Sequence, residues 1–98
     1  MTYRMSAALL FALLVAGGST ALAYTGQELA PGAKLDIAQA RAIALKARPG
    51  NLKKEELENE GGLRYSFVVR QGAKDYEVGV DAQTGRILEN KAEGPNPD

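Results

Sequence analysis

The residues of this chain that could do chemistry are mostly carboxylates, and they cluster. The stretch KKEELENE, residues 53–60, sets Glu55, Glu56, Glu58 and Glu60 within six positions. Two close carboxylates can divide general acid and general base work when an apolar setting raises one pKa. A second group, Asp81 and Thr84 before Gly85 in VDAQTGRIL, residues 80–88, has the residue types of a ligand loop and equally those of a hairpin bend. The 98 residues include no cysteine and no histidine, which excludes thiol nucleophiles and the usual zinc, copper and haem ligands. No D-x-[DN]-x-[DN]-G calcium loop occurs. No catalytic residue, metal ligand or cofactor is therefore assigned.

What either group can do depends on the element that carries it. On a strand the four glutamates alternate between faces, and no apolar pocket surrounds them in the sequence. Residues 52–60 thus read as a solvated edge strand and the protein as a non-catalytic one. From Leu63 the apolar period is two: Leu63, Tyr65, Phe67 and Val69, then Tyr76, Val78 and Val80 after a turn containing Gly72. A four-residue loop of residues 71–74 sets Arg70 against Asp75, Val69 against Tyr76, Phe67 against Val78 and Tyr65 against Val80. The same register sets Arg64 against Asp81, and a slip of one residue would destroy both the apolar and the charged matches. Residues 81–86 then fit a type I turn with Gly85 in the left-handed position, Asp81 and Thr84 bonding turn amides, and Ile87 returning opposite Val80. A three-residue loop of residues 60–62 pairs Leu57 with Tyr65 and Glu58 with Arg64.

Before the strands stands one helix. Asp36 followed by Gln39 makes a capping box, and Ile37, Ala40, Ile43, Ala44 and Ala47 fall in one narrow, alanine-rich stripe suited to close approach to a sheet. Pro49-Gly50 ends the helix, with Lys46 and Arg48 near its C-terminus. The fold class expected is α+β: one N-terminal helix on a three- to four-stranded antiparallel meander.

Residues 1–23 read as a cleavable signal peptide, with Arg4, the apolar run of residues 7–16 and the small-x-small site Ala21-Leu22-Ala23. Residues 24–34 are expected as an extended lead-in, 35–91 as the folded domain and 92–98 as a disordered tail. Past residue 23 there are 11 basic and 12 acidic residues, a net charge of minus one, which gives no footprint for nucleic acid. No stable membrane span is expected after cleavage.

The capped helix ending ALKARPG, the charged strand, GGLRYSFVV and KDYEVGVDAQTGRIL, in this order and in an exported context, resemble the PepSY domain family over residues 35–88. The resemblance implies an extracytoplasmic module of one helix on an antiparallel sheet, found in propeptides of thermolysin-type metallopeptidases and as stand-alone or membrane-tethered units. It implies a role in binding and restraining peptidases or assisting their folding, here acting in trans since no peptidase follows in the sequence. The family offers no motif of inhibitory residues to carry over.

The function expected is a periplasmic or secreted binding module for a protein partner such as a peptidase, docking by a strand edge or by the sheet face away from the helix. On that face Arg64, Val68, Arg70, Glu77 and Leu88 are the candidate residues, with Val68 expected near Leu88. The alternative is a periplasmic small-ligand-binding or envelope-stress accessory protein, with its ligand between the helix and the sheet.

Overall fold

The computed structural model describes residues 23–94. The expected signal peptide, apart from Ala23, and the last four residues lie outside the described residues. A 3-10 helix, Gln27–Gly32, is followed by helix α1, Ile37–Ala47, and four strands: β1, Asn51–Asn59; β2, Leu63–Gln71; β3, Lys74–Asp81; and β4, Ile87–Ala92. The strands form one antiparallel meander in the order β1-β2-β3-β4, with α1 against β2, β3 and β4. No helix among the described residues is long and apolar enough to cross a membrane.

Helix α1 begins where the capping box places it: the Gln39 N–H donates to Asp36 Oδ1 at 2.8 Å and the Asp36 N–H donates to Gln39 Oε1 at 2.9 Å. Two orphan donors of the first turn are satisfied in this way. The strand registers follow the apolar alternation. Val69 faces Tyr76, Phe67 faces Val78, Tyr65 faces Val80 and Arg64 faces Asp81. Leu57 faces Tyr65 and Glu58 faces Arg64 across the three-residue loop. Gln71 itself pairs with Lys74, so the β2–β3 loop has two residues rather than the four expected, with no change of register.

The core lies between the helix and one sheet face. Tyr65, Phe67, Val69, Val78 and Val80 are fully buried with Leu57, and Ala40 and Ala44 press onto them from α1. Burying each of the larger side chains is worth about 1.5–3 kcal/mol, and the two alanine methyls let the helix approach closely enough to exclude water from all of them. The Tyr65 hydroxyl, carried into this core, donates to the Leu35 carbonyl at 2.7 Å. Burial first, then the neighbouring Tyr24, pushes its pKa up to about 12.

Three expectations need correction. Ala47 is exposed rather than part of the buried stripe. The space at that end of α1 is taken by Arg48, whose guanidinium lies 3.7 Å from the Tyr76 ring centroid and donates to Asn90 Oδ1 at 3.0 Å and Gln71 Oε1 at 2.9 Å. Residues 24–34 do not run extended: the 3-10 helix sets Leu29 and Ala30 against the core, and Tyr24 before it and Ala33 after it pack there as well. Their spacing fits neither a period of two nor one of 3.6, so a partly buried segment has the sequence of a linker. Gly26 makes its approach possible, with φ at +86° and its α-carbon so near the Leu57 carbonyl that a Cβ there would overlap it. The expected tail also starts too early, since Ala92 belongs to β4 and the Glu93 N–H donates to the Asp75 carbonyl at 2.8 Å.

A candidate docking face between two unequal strand edges

Glu55 and Glu58 of the glutamate cluster, and Asp81 and Thr84, are held in bonds of the fold. Glu55 on the helix side of β1 accepts from Arg41 Nε at 3.0 Å and Nη2 at 3.2 Å, a fork that ties α1 to β1. Glu58 points to the opposite face and accepts from the Ser66 hydroxyl at 2.7 Å. Asp81 Oδ1 accepts from the amides of Gln83 at 2.8 Å and Thr84 at 3.0 Å, Gly85 takes φ +82°, and Thr84 Oγ1 accepts from the Arg86 N–H at 3.2 Å. The Gln83 amide first and the Thr84 amide next hold the Asp81 carboxyl below its usual range. These are the bonds of a hairpin bend. Ala82 within it is fully buried, and its carbonyl accepts from the amides of Lys34 and Leu35, which ties the bend to the segment before the helix.

On the sheet face away from α1, Arg64 holds the centre. Its guanidinium crosses the sheet over Gly79, donates to Glu89 Oε1 at 2.8 Å and Ser66 Oγ at 3.2 Å, and stands 3.6 Å from Glu58 Oε2. One side chain thus joins all four strands and is only 14% exposed. It does not pair with Asp81, although the register sets them opposite, because Asp81 is spent on its own turn amides. Gly79 is what leaves room for the guanidinium: a Cβ there would overlap Arg64 Nη2. The same Arg64 bond is the first cause that holds the Glu89 carboxyl below its usual range.

The remaining candidates are distributed around this centre. Arg70 pairs with Asp75 across β2 and β3, and lowers the Asp75 pKa. Val68 is half-buried in a row with Lys54, Glu77 and Lys91. Burial first, then Glu89 and Glu93, raises the Glu77 pKa. Leu88 is not in that row. A bulge pairs Gly79 with Glu89 and Val80 with Ile87, leaving Leu88 extra beside them. The sheet therefore brings Arg64, Val68, Arg70 and Glu77 onto one face and sets Leu88 apart at its margin, where Ile87 and Leu88 are 39% and 46% exposed. The bulge was the missing signal, since an unbroken ladder would have set Leu88 against Gly79.

The two sheet edges differ. On β1 the outward Leu57 N–H is already taken by the Thr25 carbonyl at 2.8 Å, a parallel bridge made by the lead-in. On β4, Glu93, Lys91 and Glu89 face Asp75, Glu77 and Gly79, and Glu93 bonds to Asp75. Alternation of the ladder then turns the peptide groups of Asn90 and Ala92 away from β3. Sequence reasoning found the strands but not this asymmetry, because the covering segment carried no strand pattern.

The space imagined between helix and sheet is filled by the close packing of Ala40 and Ala44. A cleft of about 350 Å³ instead opens at the start of α1, lined by Tyr24, Lys34, Leu35, Asp36, Ile37 and Tyr65 among others. Comparison with curated proteins and with solved structures gives no match. Comparison with protein-family models matches residues 34–91 to the PepSY family, described as "Peptidase propeptide and YPEB domain", and that span runs from just before α1 to the penultimate residue of β4. With more than half of its length matched and its single helix laid on a four-stranded antiparallel sheet, the chain belongs to the PepSY family.

Proposed function

We propose that this protein is an exported, non-catalytic binding module that binds or modulates a peptidase or another extracytoplasmic protein, working in the periplasm or outside the cell. Its docking surface is the sheet side away from α1, formed by Arg64, Val68, Arg70 and Glu77 and continued by Leu88 at the margin. The observation that carries this reading is the membership of residues 34–91 in a family described by peptidase propeptides. The site chemistry agrees with it. Arg41, Arg64 and Arg70 are each engaged with carboxylates of the same chain, an arrangement that serves shape and recognition rather than turnover.

The test is titration of the purified protein into a thermolysin-type metallopeptidase, reading residual activity and recovery of active enzyme after refolding. Val68→Ser and Leu88→Ser are expected to weaken either effect at least several-fold while the circular dichroism spectrum stays unchanged. An undiminished effect in both folded variants would remove this surface from the reading. The second reading, a small-ligand or envelope-stress accessory protein, is favoured by the cleft beside Tyr24 and Lys34. It predicts a small molecule that raises the melting temperature and whose effect is lost in Tyr24→Ala.

A further inference from the structure

We infer that a second copy of this chain pairs with the β4 edge, so that two four-stranded sheets join into one of eight strands across a twofold axis through Asn90. Among the described residues nothing covers this edge: β4 offers the outward peptide groups of Asn90 and Ala92, and the two exposed large apolar residues among those described, Ile87 and Leu88, sit at its start. The opposite edge is partly occupied by the chain's own Thr25.

The choice of occupant rests on charge. The sequence of the edge, ILENKA from Ile87 to Ala92, has its acid and its base one residue either side of Asn90. Antiparallel self-pairing about Asn90 sets Glu89 opposite Lys91 of the second copy, and the twofold axis repeats the match. Moving the axis one residue back sets Glu89 against Glu89, and one residue forward sets Lys91 against Lys91. Asn90 points its peptide groups outward, so the axial pair is a hydrogen-bonded one, and Leu88 falls opposite Ala92 of the second copy with its exposure reduced. Lys91 is 69% exposed and reaches Glu89 of its own strand at 3.2 Å, so a small rotation of a long side chain completes the exchange. Glu89 is already fixed by Arg64 at 2.8 Å, which holds the acceptor in place before the second copy arrives. A partner of different sequence would need this same alternation, and the chain supplies it itself.

The absence of cysteine gives a clean test. A hydrogen-bonded antiparallel pair holds its Cα atoms about 5.5 Å apart, within disulfide reach, whereas two copies of Leu88 would be offset along the strands by four residues, roughly 13 Å. Under mild oxidation, Asn90→Cys is expected to crosslink to a covalent dimer at least ten times faster than Leu88→Cys. An equimolar mixture of Leu88→Cys and Ala92→Cys is expected to form the mixed dimer. Light scattering on the cysteine-free protein should show mass rising from one copy toward two with concentration. Asn90→Pro, which removes an outward N–H and none bonded to β3, should abolish the rise with its circular dichroism unchanged. Equal crosslinking of Asn90→Cys and Leu88→Cys, or the mass of one copy at every concentration, overturns the inference. So does a result in which Asn90→Pro loses peptidase binding while the unsubstituted protein alone stays single, since the edge would then belong to a different chain. Loss of the dimer with peptidase binding intact supports the pairing and leaves the proposed function standing separately.

Discussion

Replacing Gly79 by alanine tests whether Arg64 organises the outer face. Gly79 has no unusual φ, so alanine is acceptable to the backbone, and in a strand it should gain about 0.5–1 kcal/mol over glycine. The new methyl, however, would overlap Arg64 Nη2 and displace a guanidinium bound to Glu89 at 2.8 Å and to Ser66 at 3.2 Å. Hydrogen bonds to charged groups contribute about 1.5–3 kcal/mol each, and here the lower end applies, because Glu89 keeps Lys91 at 3.2 Å and the freed guanidinium regains water. Subtracting the gain from two bonds at that lower end leaves a net loss of about 2–2.5 kcal/mol. For a domain of this size that lowers the melting temperature by about 8–20 °C. The decisive arm is the same change in an Arg64→Ala background, where nothing remains to be displaced: there Gly79→Ala should raise the melting temperature. Thermal unfolding of the four proteins closes the double-mutant cycle. If Gly79→Ala lowers the melting temperature equally in both backgrounds, the guanidinium is not what the methyl meets, and the account of the outer face fails.

The buried tyrosine gives an alkaline signature. Tyr65 titrates at about 12 in the fold and near 10 when unfolded, so its neutral form stabilises the protein fully below pH 10. That contribution, about 2–3 kcal/mol, disappears as pH rises from 10 to 12, and urea titrations in this window should show the loss in the unsubstituted protein and a flatter profile in Tyr65→Phe. At neutral pH Tyr65→Phe should cost about 0.5–1.5 kcal/mol for the bond to Leu35. Glu77 works in the opposite sense to a paired carboxylate: its raised pKa means the charged form is disfavoured in the fold, so Glu77→Gln should raise the melting temperature at pH 7 and lose that advantage below pH 4. Gly26→Ala should cost at least about 1 kcal/mol and speed hydrogen exchange at the Leu57 amide, since the methyl and the positive φ both oppose the Thr25 bridge. Unchanged exchange at Leu57 would mean that the lead-in does not need that approach.

Legibility in the sequence followed how many constraints agreed on each element. Helix α1 was marked by a cap, a stripe and a Pro-Gly stop, and it runs between those marks. The β2–β3 register was fixed by three apolar pairs and two charged pairs at once, so even a wrong loop length left it intact. The turn at Asp81 was readable because aspartate, threonine and glycine each had a separate local task there. What escaped was set by long-range contacts. The 3-10 segment is partly covered, through Leu29 and Ala30, by a core that forms only once the later strands are in place, and its own period gives no hint. Arg48 looked like a dipole complement and is in fact stacked on Tyr76, which only the fold brings near. The bulge at Leu88 inserts one residue where alternation assumes none, which moved a candidate apolar contact out of its row.

The arrangement of charge bears on how a partner can dock. Arg64, Glu58, Ser66 and Glu89 already satisfy one another across the outer face, so a partner that covered them would strip water from a closed network and receive few free donors in return. Val68 offers apolar area there, but it stands among Lys54, Glu77 and Lys91, which keep the row wet. The β4 edge is the reverse case. Its outward peptide groups have no partner among the described residues, its apolar residues are exposed, and an added strand satisfies both without disturbing the Arg64 network behind it. Self-pairing should therefore concentrate at the edge and selection of a partner protein at the face, where Glu77, Lys91 and Arg70 reject a surface of the wrong charge. On this argument Leu88→Ser and Asn90→Pro should weaken self-association at any salt concentration, whereas Arg70→Ala should change association with a partner protein mainly at low salt, a contrast that light scattering and surface plasmon resonance at two ionic strengths can read directly.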